Sequence, residues 1–141
     1  MIIRQFSPAD EAAVIALWNE CGLTRSWNDP AKDIAFAMAG PASSILLAEA
    51  DGKLIGSVMV GHDGHRGAIY YLAVAPTHQR QGLGRKLHDG AVAWLQERGV
   101  WKINLMVRSD NVQASGFYEK LGYAHNDVVS FGKLIESGKA K

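Results

Sequence analysis

Between the run Tyr70-Tyr71-Leu72-Ala73-Val74 and a helical stripe of apolar residues stands Gln79-Arg80-Gln81-Gly82-Leu83-Gly84. The chemistry open to such a segment is anion binding. A helix N-terminus leaves about four backbone N–H groups unpaired and carries the positive end of the helix dipole, and glycines let an anion come close to the backbone. Arg80, Arg85 and Lys86 add charge, and no acid stands between Ala75 and Lys86. Two nucleotide motifs fail on spacing. A dinucleotide fingerprint needs a small residue three places after Gly84, and a P-loop needs Gly-Lys-Ser/Thr five places after its first glycine; Leu87 stands at both positions. Spacing alone leaves two readings open, an anion cradle or a glycine-rich helix start that binds nothing.

The elements that must hold this turn follow from periodicity. Ile2, Ile3 and Phe6 read as a short opening strand, and Ser7-Pro8-Ala9-Asp10 as a helix start whose stripe is Val14, Ile15, Trp18 and Cys21, stopped at Gly22. Asn28-Asp29-Pro30 starts a second helix through Ile34 and Met38 to Gly40-Pro41. Ile45 to Ala50 and Lys53 to Gly61 read as strands joined by Asp51-Gly52, a strong two-residue hairpin signal. The loop from His62 to Gly67 leads into a buried strand, Ala68 to Ala75. Leu83, Leu87, Ala91, Trp94 and Leu95 mark one face of a long helix closed at Gly99. A strand over Lys102 to Val107, a helix from Asn111 to Gly122 with the stripe Ala114, Phe117, Tyr118 and Leu121, and a hairpin-like run from Tyr123 to Phe131 complete the order. The expectation is one α+β domain over 1–141 with a mixed sheet and a frayed tail at about 133–141.

Composition sets the outer bounds. The chain has 141 residues, 48% hydrophobic and 21% charged, enough for a core without staples. A net charge of +1 gives no broad field for nucleic acid or membrane surfaces, so any anion site must be local. One cysteine, Cys21, allows neither an internal disulfide nor a cysteine-based zinc site, and it reads as a small apolar helix residue. The opening residues lack a signal peptide's apolar run and no stretch approaches a membrane span, so the expected compartment is the cytoplasm.

A strand ending in Leu-x-Val, then Pro76, then Gln79-Arg80-x-Gly82-x-Gly84 on a helix resembles the acyl-CoA-binding motif of the GNAT superfamily of N-acetyltransferases. A second match follows in Ile103 to Val107, Asn111 and Phe117-Tyr118-Glu119-Lys120-Leu121-Gly122-Tyr123. The resemblance covers about residues 1–135. More narrowly, Arg25-x-Trp27-Asn28-Asp29-Pro30 and Asp63-Gly64-His65-Arg66-Gly67 look like the bacterial YpeA-type branch. The family resemblance implies a mixed sheet flanked by helices and splayed between the strands at 68–75 and 102–107, with acetyl-CoA in the gap. It implies that Leu72, Ala73 and Val74 pair with the pantetheine arm, and that Gln79, Arg80, Gln81, Gly82, Leu83, Gly84 and Arg85 take the pyrophosphate. On the same ground Asn111 would bond the pantetheine, Phe117 would pack near it, and Tyr118 would stand close to the sulfur. Arg25, Trp27, Asn28 and Asp29 would line the acceptor pocket, with a capped helix start and one packed tryptophan as the plainer reading.

Acetyl transfer by direct attack must align two substrates, polarise the carbonyl and move two protons. A tyrosine with an ordinary pKa near 10 stays protonated at neutral pH, so Tyr118 is the expected proton donor to the leaving thiolate; its place on an apolar stripe otherwise marks it as core. Two positions where relatives carry a catalytic glutamate hold Ala68 and Met106 here. Candidates for base or relay are therefore Asp63, His62, His65 and Tyr70. His62 and His65 stand three apart with no third or fourth ligand nearby, so no metal site is expected. The function expected is an acetyl-CoA-dependent N-acetyltransferase acting on a primary amine, of a small metabolite or a protein. A non-catalytic acyl-CoA-binding module is the alternative that the two missing glutamates suggest, and an unpaired edge in the final hairpin could support a homodimer.

Overall fold

Leucine side chains reaching into glycine gaps set how the main helix lies on the sheet. The computed structural model describes residues 1–136. They form two compact units, one over Met1–Leu105 and the other from Met106 onward. The first holds β1 (Ile2–Gln5), α1 (Glu11–Glu20), α2 (Pro30–Met38), β2 (Ser43–Ala50), β3 (Lys53–His62), β4 (Gly67–Val74) and α3 (Leu83–Gln96). The second holds α4 (Val112–Lys120).

The four strands lie in sequence order, each antiparallel to the next. Asp51 and Gly52 both take positive φ, at 52° and 75°, as the tight turn between β2 and β3 requires. The opening helix signal also holds, with a short 3-10 turn at Pro8–Asp10 before α1. Asp10 accepts the Ser7 backbone N–H at 2.8 Å and both arms of the Arg4 guanidinium at 2.8 and 2.9 Å. Asp29 caps α2 by accepting the Lys32 N–H at 3.2 Å.

Helices cover the two faces of the sheet. On β3, Ser57 meets Trp18 of α1, while the next position, Gly56, meets Leu87 of α3. Since neighbouring residues of a strand point to opposite faces, α1 and α3 lie on opposite sides. The stripe read from periodicity on α3 is the buried one: Leu83, Leu87, Ala91, Trp94 and Leu95 all belong to the core. His88 joins them on the buried face. A Cβ on Gly56 would stand 2.8 Å from Leu87 Cδ1, and one on Gly67 would stand 2.6 Å from Leu95 Cδ1.

Three expectations need correction. The sheet is antiparallel rather than mixed: the run expected as a strand over 102–107 meets it at a single parallel bridge, Gly67 to Ile103, flanked by bonds from Gly67 N–H to Lys102 O and from Asn104 N–H to Gly67 O. Beyond that bridge the run keeps the alternating exposure of a strand, but a ladder needs a partner along its length, and among the described residues β4 forms its ladder with β3. The hairpin expected over Tyr123 to Phe131 forms no strand, and Val128, Val129 and Phe131 are exposed; apolar runs without a surface to cover them do not make a ladder. With it goes the strand edge on which the homodimer expectation rested. The tail expected at about 133–141 has no helix or strand through 136, and its remainder lies outside the described residues.

Gly67→Ala should destabilise the protein by about 1–3 kcal/mol, because the added methyl meets the Cγ and both terminal carbons of a buried leucine rather than one movable end. Chemical denaturation checks this; an unchanged midpoint would show that Leu95 moves aside without cost.

Candidate active site

The site begins with an irregularity in β4. Ser57 pairs with Ala73 and Met59 with Tyr70, so Tyr71 and Leu72 together face the single residue Val58. Tyr71 takes φ 51°, a left-handed conformation that a bulky aromatic adopts only when its surroundings impose it. Three contacts impose it. Its ring stacks on Trp18 at 3.7 Å and 7°. Its carbonyl accepts the Ser57 hydroxyl at 2.9 Å, and Ser57 Oγ accepts Trp18 Nε1–H at 2.9 Å. Its own hydroxyl donates to Asp33 Oδ2 at 2.7 Å, and burial with this bond pushes the phenol well above its ordinary range.

The bulge aims a donor. In a planar trans peptide the N–H points opposite to the C=O. With the Tyr71 carbonyl held by the Ser57 hydroxyl, the Leu72 N–H turns away from that hydroxyl. Ala75 N–H bonds Ile55 O on β3, so Val74, one residue earlier, turns to the other edge of β4. The Val74 carbonyl is already engaged, by Gln79 Nε2–H at 3.1 Å and the Cys21 thiol at 3.3 Å, which leaves its N–H. Cys21 sits at the end of α1, where burial raises its pKa and keeps it a thiol.

A cavity of about 1170 Å³ opens beside the bulge, walled by α2, the turn after it, and the facing ends of β3 and β4. It gathers all four base or relay candidates, His62, Asp63, His65 and Tyr70, together with Leu72 and Asn28. Arg25, Trp27 and Asp29 do not line it. Arg25 donates to the carbonyls of Gly22 and Thr24 and Asp29 caps α2, as a capped start requires, but Trp27 is exposed and is not the packed tryptophan of that reading.

Geometry also separates the base candidates. Asp63 Oδ1 accepts the backbone N–H groups of His65 at 2.8 Å and Arg66 at 2.7 Å, and these bonds lower its pKa, making it a poorer base. His62 Nδ1 accepts the Gly64 N–H at 3.1 Å, so the one lone pair of the neutral ring is in use. The His65 ring makes no hydrogen bond among the described residues, though its charge acts on Asp63, and Tyr70 is nearly half exposed.

The glycine turn has the geometry of an anion cradle. Arg80 and Gly82 take φ 65° and 80°, and Gly82 caps α3. Among the described residues, no backbone N–H from Gln79 to Arg85 has an acceptor; the first amide to find one is Lys86, which bonds Gly82 O at 3.2 Å.

In the second unit, Asn111 caps α4, its Oδ1 accepting the Ala114 N–H at 3.0 Å, which leaves its amide hydrogens to donate. Phe117 meets Tyr118 edge-on at 5.1 Å, and Tyr123 meets Tyr118 at 5.4 Å. Burial raises the Tyr118 pKa to about 12. The Tyr123 phenol nearby adds to this rise.

Reading from periodicity missed Ser57, Tyr71 and Asp33. Ser57 carried a signal, as the one polar side chain in Ile55-Gly56-Ser57-Val58-Met59-Val60, whereas a left-handed tyrosine carries none. Ser57→Ala removes one hydroxyl and strands two groups, Trp18 Nε1–H and Tyr71 O. The expected loss is about 1–3 kcal/mol for each group left unpaired. Urea unfolding measures it, and a variant as stable as the parent would show that the bulge stands without this brace.

The model of the acetyltransferase (GNAT) family matches residues 11–123. Among solved structures, an aminoglycoside 6'-N-acetyltransferase from Acinetobacter haemolyticus superposes with a TM-score of 0.79 at 21% identity, covering 96% of this chain and 100% of that one. AAC(6')-Iy, solved with a bisubstrate analogue built on CoA, gives 0.80 at 15% identity over 94% and 97% of the two chains. Glucosamine-6-phosphate N-acetyltransferase from Arabidopsis thaliana gives 0.73 at 20% identity over 96% and 98%. The likeness of fold extends through both units, and the family match takes in the bulged strand, the glycine turn and the tyrosine of α4: this chain belongs to the acetyltransferase (GNAT) family.

Proposed function

We propose that the protein is an acetyl-CoA-dependent N-acetyltransferase that passes an acetyl group to a primary amine by direct attack, working as one catalytic domain. One observation carries the reading: the bulge of β4 at Tyr71 and Leu72 leads into a turn whose amides at 79–85 have no acceptor among the described residues. That donor set fits acyl-CoA, because an extended amide-bearing arm suits a strand edge and a pyrophosphate suits the head of α3. Solved relatives include one bound to a CoA-based bisubstrate analogue and one that acts on glucosamine-6-phosphate. The YpeA-type branch, read from Arg25 to Pro30 and Asp63 to Gly67, is part of the same proposal, as is the cytoplasm for an acetyl-CoA user.

Bound acetyl-CoA supplies an acyl group activated as a thioester. The chain's residues do the rest. The Leu72 N–H donates to charge that develops on the carbonyl oxygen. His65, in the cavity wall, takes the proton from the attacking amine, with Tyr70, another residue of that wall, as relay. Tyr118 gives its phenolic proton to the departing thiolate, and with a pKa near 12 it holds that proton throughout the neutral range. Asn111 and Phe117 hold the arm on which that sulfur is carried.

Tyr118→Phe should lower amine-dependent thiol release about 10²-fold while leaving the acetyl-CoA dissociation constant within about twofold. His65→Gln should lower kcat to a similar degree and remove the limb of the pH–rate profile that reports the base. Steady-state kinetics with a panel of primary amines provides the check. Normal turnover in Tyr118→Phe would return that residue to packing, and acetyl-CoA binding without thiol release from any amine would favour the non-catalytic module.

A further inference from the structure

The cavity carries a charge that the reaction just described does not use. Asp33, in the first turn of α2, lines it. One carboxylate oxygen accepts the Tyr71 hydroxyl at 2.7 Å, and Asn28 is another lining residue. Asp33 is half-buried, and no Lys, Arg or His side chain pairs with it among the described residues. The helix N-terminus and the Tyr71 hydroxyl favour this carboxylate, and with no cation beside it, it is open to an ammonium group.

Other charges on the wall are already accounted for. Asp63 has one oxygen taken by two backbone amides, and the Arg66 guanidinium lies 4.6 Å over the Trp101 ring and donates to His65 O at 3.1 Å. The remaining surface includes Leu23, Phe36 and Met59, which suit hydrocarbon.

Asp33 is poorly suited to hold the nitrogen that reacts. A carboxylate beside an amine favours the ammonium form and raises its pKa, whereas attack requires the free base. The charge it selects therefore belongs to a different part of the acceptor. Resting on the acetyltransferase reading, we infer that Asp33 is a specificity-determining residue that binds a second, non-reacting ammonium group, so that the acceptor is a diamine with a hydrocarbon spacer.

Calorimetric titration of the whole protein, with and without saturating CoA, tests this with three ligands of one chain length: 1,5-diaminopentane, pentylamine and 5-aminopentanoate. The parent should bind the diamine at least tenfold more tightly than the monoamine, and the amino acid most weakly. Asp33→Asn keeps an acceptor for the Tyr71 hydroxyl while removing the charge, and it should lose the diamine preference, weakening the diamine more than pentylamine. Equal affinity of the parent for diamine and monoamine would overturn the inference, as would a preference that survives in Asp33→Asn. If the titrations show the preference but acetyl-CoA itself does not bind, the acetyltransferase reading fails and the Asp33 assignment stands as that of an amine-binding cavity. If acetyl-CoA binds and the preference is absent, the assignment alone fails.

Discussion

One serine hydroxyl holds the unusual geometry of this protein in place. Ser57 Oγ accepts from the Trp18 indole and donates to the carbonyl of Tyr71, a residue whose left-handed backbone costs on the order of 1–3 kcal/mol. That cost is met by a buried stack on Trp18 and by the hydroxyl bond to Asp33. Because the peptide between Tyr71 and Leu72 is planar, fixing the carbonyl also fixes the Leu72 N–H. A hydrogen bond in the core thus sets the direction of a backbone donor in the bulge. The same residue reaches both working surfaces, since the ring and hydroxyl of Tyr71 face the cavity side while its backbone shapes the edge of β4.

The second working surface rests on packing. The head of α3 can present unpaired amides only if the helix is seated firmly, and Leu87 and Leu95 seat it by filling the space over Gly56 and Gly67. Gln79 ties the turn back to the end of β4 through the Val74 carbonyl, so the strand edge and the glycine turn are positioned together. The proposed anion site at the head of α3 would need no dense positive surface, in keeping with a chain whose net charge is only +1.

What periodicity and turn chemistry revealed depended on how local the signal was. The α3 stripe, the Asp51-Gly52 turn and the caps at Asp10 and Asp29 are each set by residues within a few positions, and all of them stand in the structure. The glycine turn was equally plain, with its amides free as the helix start required. The strand over 102–107 and the final hairpin were misread because alternation reports a face and not a partner; Ile103, Leu105 and Val107 keep the alternation without the ladder. The bulge was invisible for a related reason. Its cause is a set of contacts spanning residues 18, 33, 57 and 71, and no spacing in the chain announces that a tyrosine will be left-handed. Among the base candidates, residue type could not rank His62, Asp63 and His65, whereas two backbone N–H groups on Asp63 and one on His62 do.

The central claim is that the β4 edge and the head of α3 form one acyl-CoA cradle. Thermal unfolding of ligand-free protein titrated with acetyl-CoA, with CoA and ATP for comparison, tests it most directly. Ligand at about 100 times its dissociation constant should stabilise the fold by roughly 2.7 kcal/mol, a rise of several degrees, and acetyl-CoA and CoA should do so where ATP does not. No shift up to millimolar acetyl-CoA, or an equal shift with ATP, would contradict the account.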